Sequence, residues 1–150
     1  MLVTASPIGK QHLYAVDKLT ELLVLAMSGR ARIRVQGSFA ASDDSEPEPD
    51  VSVLPLGAYL DDHPKAAHLL IEVADSSLRF DRMDKLRLYA EAGVPECWIV
   101  NLVDDVIEVY RDPSGDAYAA HVDHGRGARL SLLAFPDVTL AVDDILPPRR

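Results

Sequence analysis

The chain contains a single cysteine, Cys97, so no intrachain disulfide can form and nothing calls for an oxidising compartment. No apolar run approaches the roughly 18 residues that a membrane-spanning helix requires. The opening residues, MLVTASPIGK, lack the basic start and long apolar stretch of a secretory signal. Together these absences predict a cytoplasmic protein with no membrane segment. Positive charge is also scarce: 15 Lys and Arg face 24 Asp and Glu, for a net charge of −9 and a pI near 4.9. Proteins that grip DNA through its phosphates usually carry a basic footprint. The balance therefore argues against tight, autonomous DNA binding, though not against a local basic cleft.

What is present fits one ordinary domain spanning residues 1–150, with 48% hydrophobic and 26% charged residues, long enough to bury a proper core. His12 to Met27 reads as a helix, with Leu13, Val16, Leu19, Leu23 and Met27 at three- and four-residue steps and Ser28-Gly29 closing it. Ala31 to Val35 alternates as a strand. Residues Ser42 to Pro49 form an acidic loop, and Val51 to Leu54 a short strand directly after Asp50. Leu69 to Val73 is apolar on both faces apart from Glu72, as in a central, doubly covered strand. A helix follows from an N-cap at Asp81 to about Ala92, stopped by Gly93 and Pro95. Cys97 to Val100 and Val106 to Arg111 pair across an Asp104-Asp105 turn, and Tyr118 to Val122 and Leu130 to Leu133 are weaker strands. The order predicts an α/β domain, a mixed β-sheet flanked by helices.

Glu72 is the most informative residue, because a carboxylate inside a buried strand needs a basic partner or a cation. Asp50, at the start of a neighbouring strand, could converge with it at one end of the sheet and offer a hard divalent cation two carboxylates. Lys85, one turn inside the following helix, has Leu88 and Tyr89 at three- and four-residue spacing, so its stem points toward packed surface. On residue types alone a buried ion-pair network without chemistry is the favoured reading of this trio, and the resemblance given below reverses that preference. Arg30, Arg32 and Arg34 read as a solvated strand face, with a phosphate-contacting stripe as the alternative. Arg79, Arg82 and Arg87 are better placed for a DNA-backbone contact, although surface solubility explains them as well. His121 and His124 read as loop histidines, since no zinc ligand set of structural spacing accompanies them. Ser76 and Ser77 have no adjacent histidine and read as turn caps. Trp98 reads as core.

Four segments carry a resemblance. Glu48-Pro49-Asp50-Val51, Ile71 to Ser77, Asp81-Arg82-Met83-Asp84-Lys85-Leu86 and Tyr89 to Trp98, in this order and at these spacings, resemble the Uma-two family of restriction-endonuclease-like proteins. That family is placed in the PD-(D/E)xK nuclease superfamily. The resemblance runs from about Ser6, through Gln11-His12, to Phe135-Pro136. It implies a restriction-endonuclease-like fold and a DNA endonuclease that uses Mg²⁺ or Mn²⁺. Asp50 and Glu72 would be the two acids and Lys85 the catalytic lysine, displaced to the helix because the usual position is Ala74; the Val73 carbonyl would also reach the metal. Members begin with a further segment that includes a hairpin ending in a turn like Ser6-Pro7, so this chain reads either as a shortened variant or as one whose start is mis-assigned. A homodimer is the expected assembly, since cutting both strands of a duplex suits a two-fold pair. The alternatives are a non-catalytic binding or dimerisation module on a nuclease fold, and a metal-dependent hydrolase of another phosphate ester.

Overall fold

The computed structural model describes residues 9–75 and 79–149, with only the backbone of residues 79–81. The first helix, α1 (Lys10–Met27), buries Ala15, Val16, Leu19, Leu23 and Met27, the stripe that the spacing predicts. Leu13, assigned to that stripe from sequence, is instead exposed. Three strands follow: β1 (Arg32–Val35), β2 (Val51–Leu54) and β3 (Leu69–Ala74). Helix α2 (Arg79–Glu91) leads to β4 (Glu96–Asn101), β5 (Val106–Ser114) and β6 (Ala117–His124). Strands β7 (Arg129–Ser131) and β8 (Thr139–Ala141) and the short helix α3 (Val142–Ile145) complete the order.

The first six strands form one sheet in sequential order. Every neighbouring pair is antiparallel except β3 and β4. A parallel pair cannot be closed by a tight turn and needs a crossover, which α2 supplies. The result is the α/β class, a mixed sheet flanked by helices. Successive side chains of a strand point to opposite faces, so the sheet separates two cores. On one face α1 packs against Val51, Ile71, Val73, Trp98 and Val100. On the other, Leu86 and Tyr89 of α2 meet Leu54, Leu70, Cys97 and Ile99. Residues β2 and β4 contribute are buried on both faces throughout, as near-continuous apolar runs imply.

Several boundaries differ from the sequence reading. Helix α2 begins at Arg79, so Asp81 lies inside the helix and is not its cap; an acid in a first turn still favours the positive end of the dipole. The far end behaves as expected. Gly93 has φ 77°, and the amides of Val94 and Gly93 donate to the Tyr89 and Ala90 carbonyls, each at 3.0 Å, the paired bonds that close a helix through a left-handed glycine. The separate β7–β8 pair is tied to the main sheet by Glu96, which is fully buried. Its carboxylate accepts from Trp98 Nε1 at 3.0 Å, Arg111 Nε at 2.8 Å and the Leu133 amide at 2.9 Å. Among the described residues no helix is long and apolar enough to cross a membrane.

Candidate active site

The antiparallel ladder between β2 and β3 ends at the pair Val51 and Ile71. One step further, Asp50 and Glu72 stand opposite each other on the face covered by α2. With no backbone partner left there, the Val73 amide donates to Asp50 Oδ2 at 2.7 Å, so a side chain takes the place of the missing ladder bond. Asp50 Oδ1 lies 3.3 Å from His12 Nε2. A residue in a strand presents its N–H and C=O to the same edge, so the Val73 carbonyl faces the Asp50 side as well.

Glu72 is 6% exposed. Its Oε1 accepts from Lys85 Nζ at 3.1 Å and its Oε2 from the Tyr89 hydroxyl at 2.6 Å. Lys85 and Tyr89 are one helical turn apart on α2 and therefore share a face. Tyr89 is fully buried and meets the edge of the Phe39 ring, with centroids 6.2 Å apart. Burial pushes the Glu72 carboxyl up to about 7, against the opposing effects of the Lys85 charge and the Tyr89 hydroxyl, while the nearby Asp50 charge adds to the rise. Burial, and then the Glu72 carboxylate, raise the Tyr89 hydroxyl far above its ordinary range.

This donor set fits a hard divalent cation. Asp50 Oδ2 and both Glu72 oxygens accept hydrogen bonds, Asp50 Oδ1 lies beside His12 Nε2, and a carboxylate oxygen can accept more than one. Two carboxylates and a strand carbonyl are ligands that magnesium takes while keeping several waters. Burial outweighs the Lys85 charge and the Tyr89 hydrogen bond in raising the Glu72 carboxyl.

The structure thus brings Asp50, Glu72, Val73 and Lys85 together. The two α2 arginines whose side chains are described pair elsewhere. Arg82 is largely buried, with Nη1 3.6 Å from Glu108 Oε2, and Arg87 is exposed, with Nε 3.8 Å from Asp116. The Arg79 side chain lies outside the described residues, as do Ser76 and Ser77. Arg30 precedes β1, pairs in two bonds with Asp137 and stacks over Phe135. His121 and His124 sit on β6 and not in a loop. His121 and Asp123 form, with Glu108, a cluster whose potential ligand atoms lie within 4.8 Å of one another, a set that spacing alone did not reveal. His121 and Asp123 are exposed there, and Glu108 accepts from Tyr110 at 2.5 Å and Asn101 at 2.8 Å, so the group reads as a surface polar network.

Two contributors escaped the sequence reading. Tyr89 was visible only as a neighbour of Lys85 at four-residue spacing. His12 precedes Val16, Leu19 and Leu23 by four, seven and eleven residues, so a polar ring heads the buried stripe of α1, and that was the available signal.

The model of the Uma2 family, described as "Putative restriction endonuclease", matches residues 1–143. The chain belongs to the Uma2 family. The fold of this Uma2 protein is also that of a crystal structure from Anabaena variabilis, described as "a putative nuclease belonging to DUF820". The two align with a TM-score of 0.75 and 18% identity over 96% of this chain and 84% of the other. No curated protein matches the chain.

Proposed function

We propose that this Uma2 protein is a divalent-metal-dependent DNA endonuclease, formed by one domain, that hydrolyses phosphodiester bonds with Mg²⁺ or Mn²⁺. The observation that carries this reading is the convergence of Asp50, Glu72 and Lys85 where the β2–β3 ladder stops, beside the carbonyl edge of Val73. Asp50, Glu72 and the Val73 carbonyl would hold the ion, which when bound lowers the pKa of a water and offsets charge at phosphorus. Lys85 opposes the rise that burial imposes on the Glu72 carboxyl through their 3.1 Å contact and presents a cation beside the developing phosphorane charge. Tyr89 fixes the second Glu72 oxygen, so the carboxylate plane is set before substrate arrives.

Helix α2 lies over this end of the sheet and is the natural support for the DNA backbone through Arg79, Arg82 and Arg87. Arg87 is the most exposed of those whose side chains are described. A net charge of −9 opposes tight binding to the phosphate backbone. A two-fold pair of protomers would present a centre to each strand. The single cysteine, Cys97, is free and buried, in keeping with a cytoplasmic setting.

The test is incubation of the purified protein with supercoiled plasmid and with linear single-stranded DNA, in Mg²⁺, Mn²⁺ or EDTA, alongside Lys85→Ala. Cleavage that needs metal and disappears in the variant is the expected result. Folded protein that binds Mn²⁺ through Asp50 and Glu72 yet cuts neither substrate would favour the non-catalytic module. Turnover of small phosphate esters with DNA untouched would favour a different hydrolase.

A further inference from the structure

We propose that His12 is a positioning residue of this centre, fixing the plane of the Asp50 carboxylate from the side opposite Val73. The proposal rests on the reading of Asp50 as a metal ligand. His12 occupies the third position of α1, and its side chain is 12% exposed. Its Nε2 lies 3.3 Å from Asp50 Oδ1, whereas Nδ1 is buried without a hydrogen-bond partner among the described residues. A buried N–H with no acceptor is rarer and costlier than a buried lone pair, so the tautomer with its proton on Nε2 fits, which places a donor group 3.3 Å from Asp50 Oδ1.

Asp50 is therefore held from two elements. The Val73 amide of β3 engages Oδ2 at 2.7 Å, and α1 engages Oδ1 through His12. One anchor would not suffice, because the terminal torsion of an aspartate is broad and roughly two-fold. Two donors on different oxygens fix it. The imidazole is itself firmly placed. Val16, Leu19 and Leu23 below it on the same stripe are buried, and a Cβ added at Gly9 would lie 3.0 Å from Asp75 Oδ2, which shows how closely the start of α1 packs on the end of β3. A donor without a long charged arm also suits this position, since Lys85 already brings one cation to the centre and a divalent ion would bring another.

Carboxylates that bind metals are commonly oriented by such outer partners, whose loss costs about 10–100-fold in metal affinity. The experiment is calorimetric titration of Mn²⁺ into chelator-treated wild type, His12→Ala, His12→Gln and Asp50→Ala, with circular dichroism confirming the fold. His12→Ala is expected to weaken Mn²⁺ by about 10–100-fold. His12→Gln, whose amide reaches a similar place, is expected to recover most of the loss. If the alanine variant fails to fold, His12→Leu keeps the packing, lacks the donor and is expected to show the same weakening. Electron spin-echo spectra of the Mn²⁺ complex are expected to show no directly bound nitrogen. Unchanged affinity in the variant without a donor, or a nitrogen in the coordination sphere, would overturn the positioning role. Unchanged affinity in Asp50→Ala would overturn the metal-site reading beneath it, a separate result.

Discussion

Replacing Glu72 with glutamine tests whether burial or Lys85 governs this carboxyl. In the fold Glu72 ionises near 7, raised first by burial. In the unfolded chain a glutamate ionises near its ordinary value of about 4.3. Between those pH values the folded state binds the extra proton, so stability falls as pH rises. The contribution is fully present below the unfolded pKa and is lost as pH climbs through about 7. At about 1.4 kcal/mol per pH unit the swing is on the order of 3 kcal/mol. Glutamine has the same shape and no titration, and it still offers an oxygen to Lys85 and an amide to the Tyr89 hydroxyl. Urea unfolding of both proteins in EDTA, from pH 4.5 to 8, isolates the effect, because other titrations cancel in the difference. Relative to Glu72→Gln, the wild type is expected to lose about 3 kcal/mol across that range, and added Mn²⁺ to return part of it. A flat difference, or a wild type that gains with pH, would refute the reasoning and show that Lys85 outweighs burial.

Two further perturbations address neighbouring contacts. Tyr89→Phe removes the 2.6 Å donor to Glu72 Oε2 and leaves a buried oxygen unsatisfied, a cost of about 1–3 kcal/mol readable in urea unfolding at pH 8; no measurable change would mean that the hydroxyl contributes nothing net. Glu96→Ala breaks the buried link to Arg111, Trp98 and Leu133 and is expected to cost about 3–5 kcal/mol. It also exposes the Leu133 amide to faster hydrogen exchange, and unaltered exchange there would show that packing alone holds the β7–β8 pair.

The fold was readable where burial imposes a strong pattern. The all-apolar Leu69 to Val73 run around Glu72 could only be a covered strand, and the stripe of Val16, Leu19 and Leu23 fixed α1 and the face it buries. Gly93 marked the end of α2 because the chain there needs a left-handed residue. Short, half-exposed elements left weaker traces. Strand β8 and helix α3 carry only a few buried side chains each, too few to set a period. Strand β6 is exposed along most of its length, so only its middle, Tyr118 to Val122, left a trace, and His124 gave no sign of lying in a ladder. At the centre, Glu72 stood out because charge inside an apolar run demands compensation, whereas Asp50 and Lys85 were joined to it by their places at a strand start and on the next helix and by the family resemblance. His12 did not, since a histidine at the head of a helix is unremarkable until the register of β2 on β3 brings Asp50 beside it.

The position of Asp50 and Glu72 between two helical layers has a consequence for how the molecule opens. His12 comes from the layer on one face of the sheet, and Lys85 and Tyr89 from the layer on the other. A local fluctuation that lifts either helix therefore dismantles part of the same cluster, and anything that tightens the cluster resists both. Amides at the start of α1 and in the middle of α2 then belong to one cooperative opening unit, although their side chains lie in separate apolar cores. The carboxylates act as a rivet through the sheet, joining two halves that hydrophobic packing alone would leave free to breathe independently.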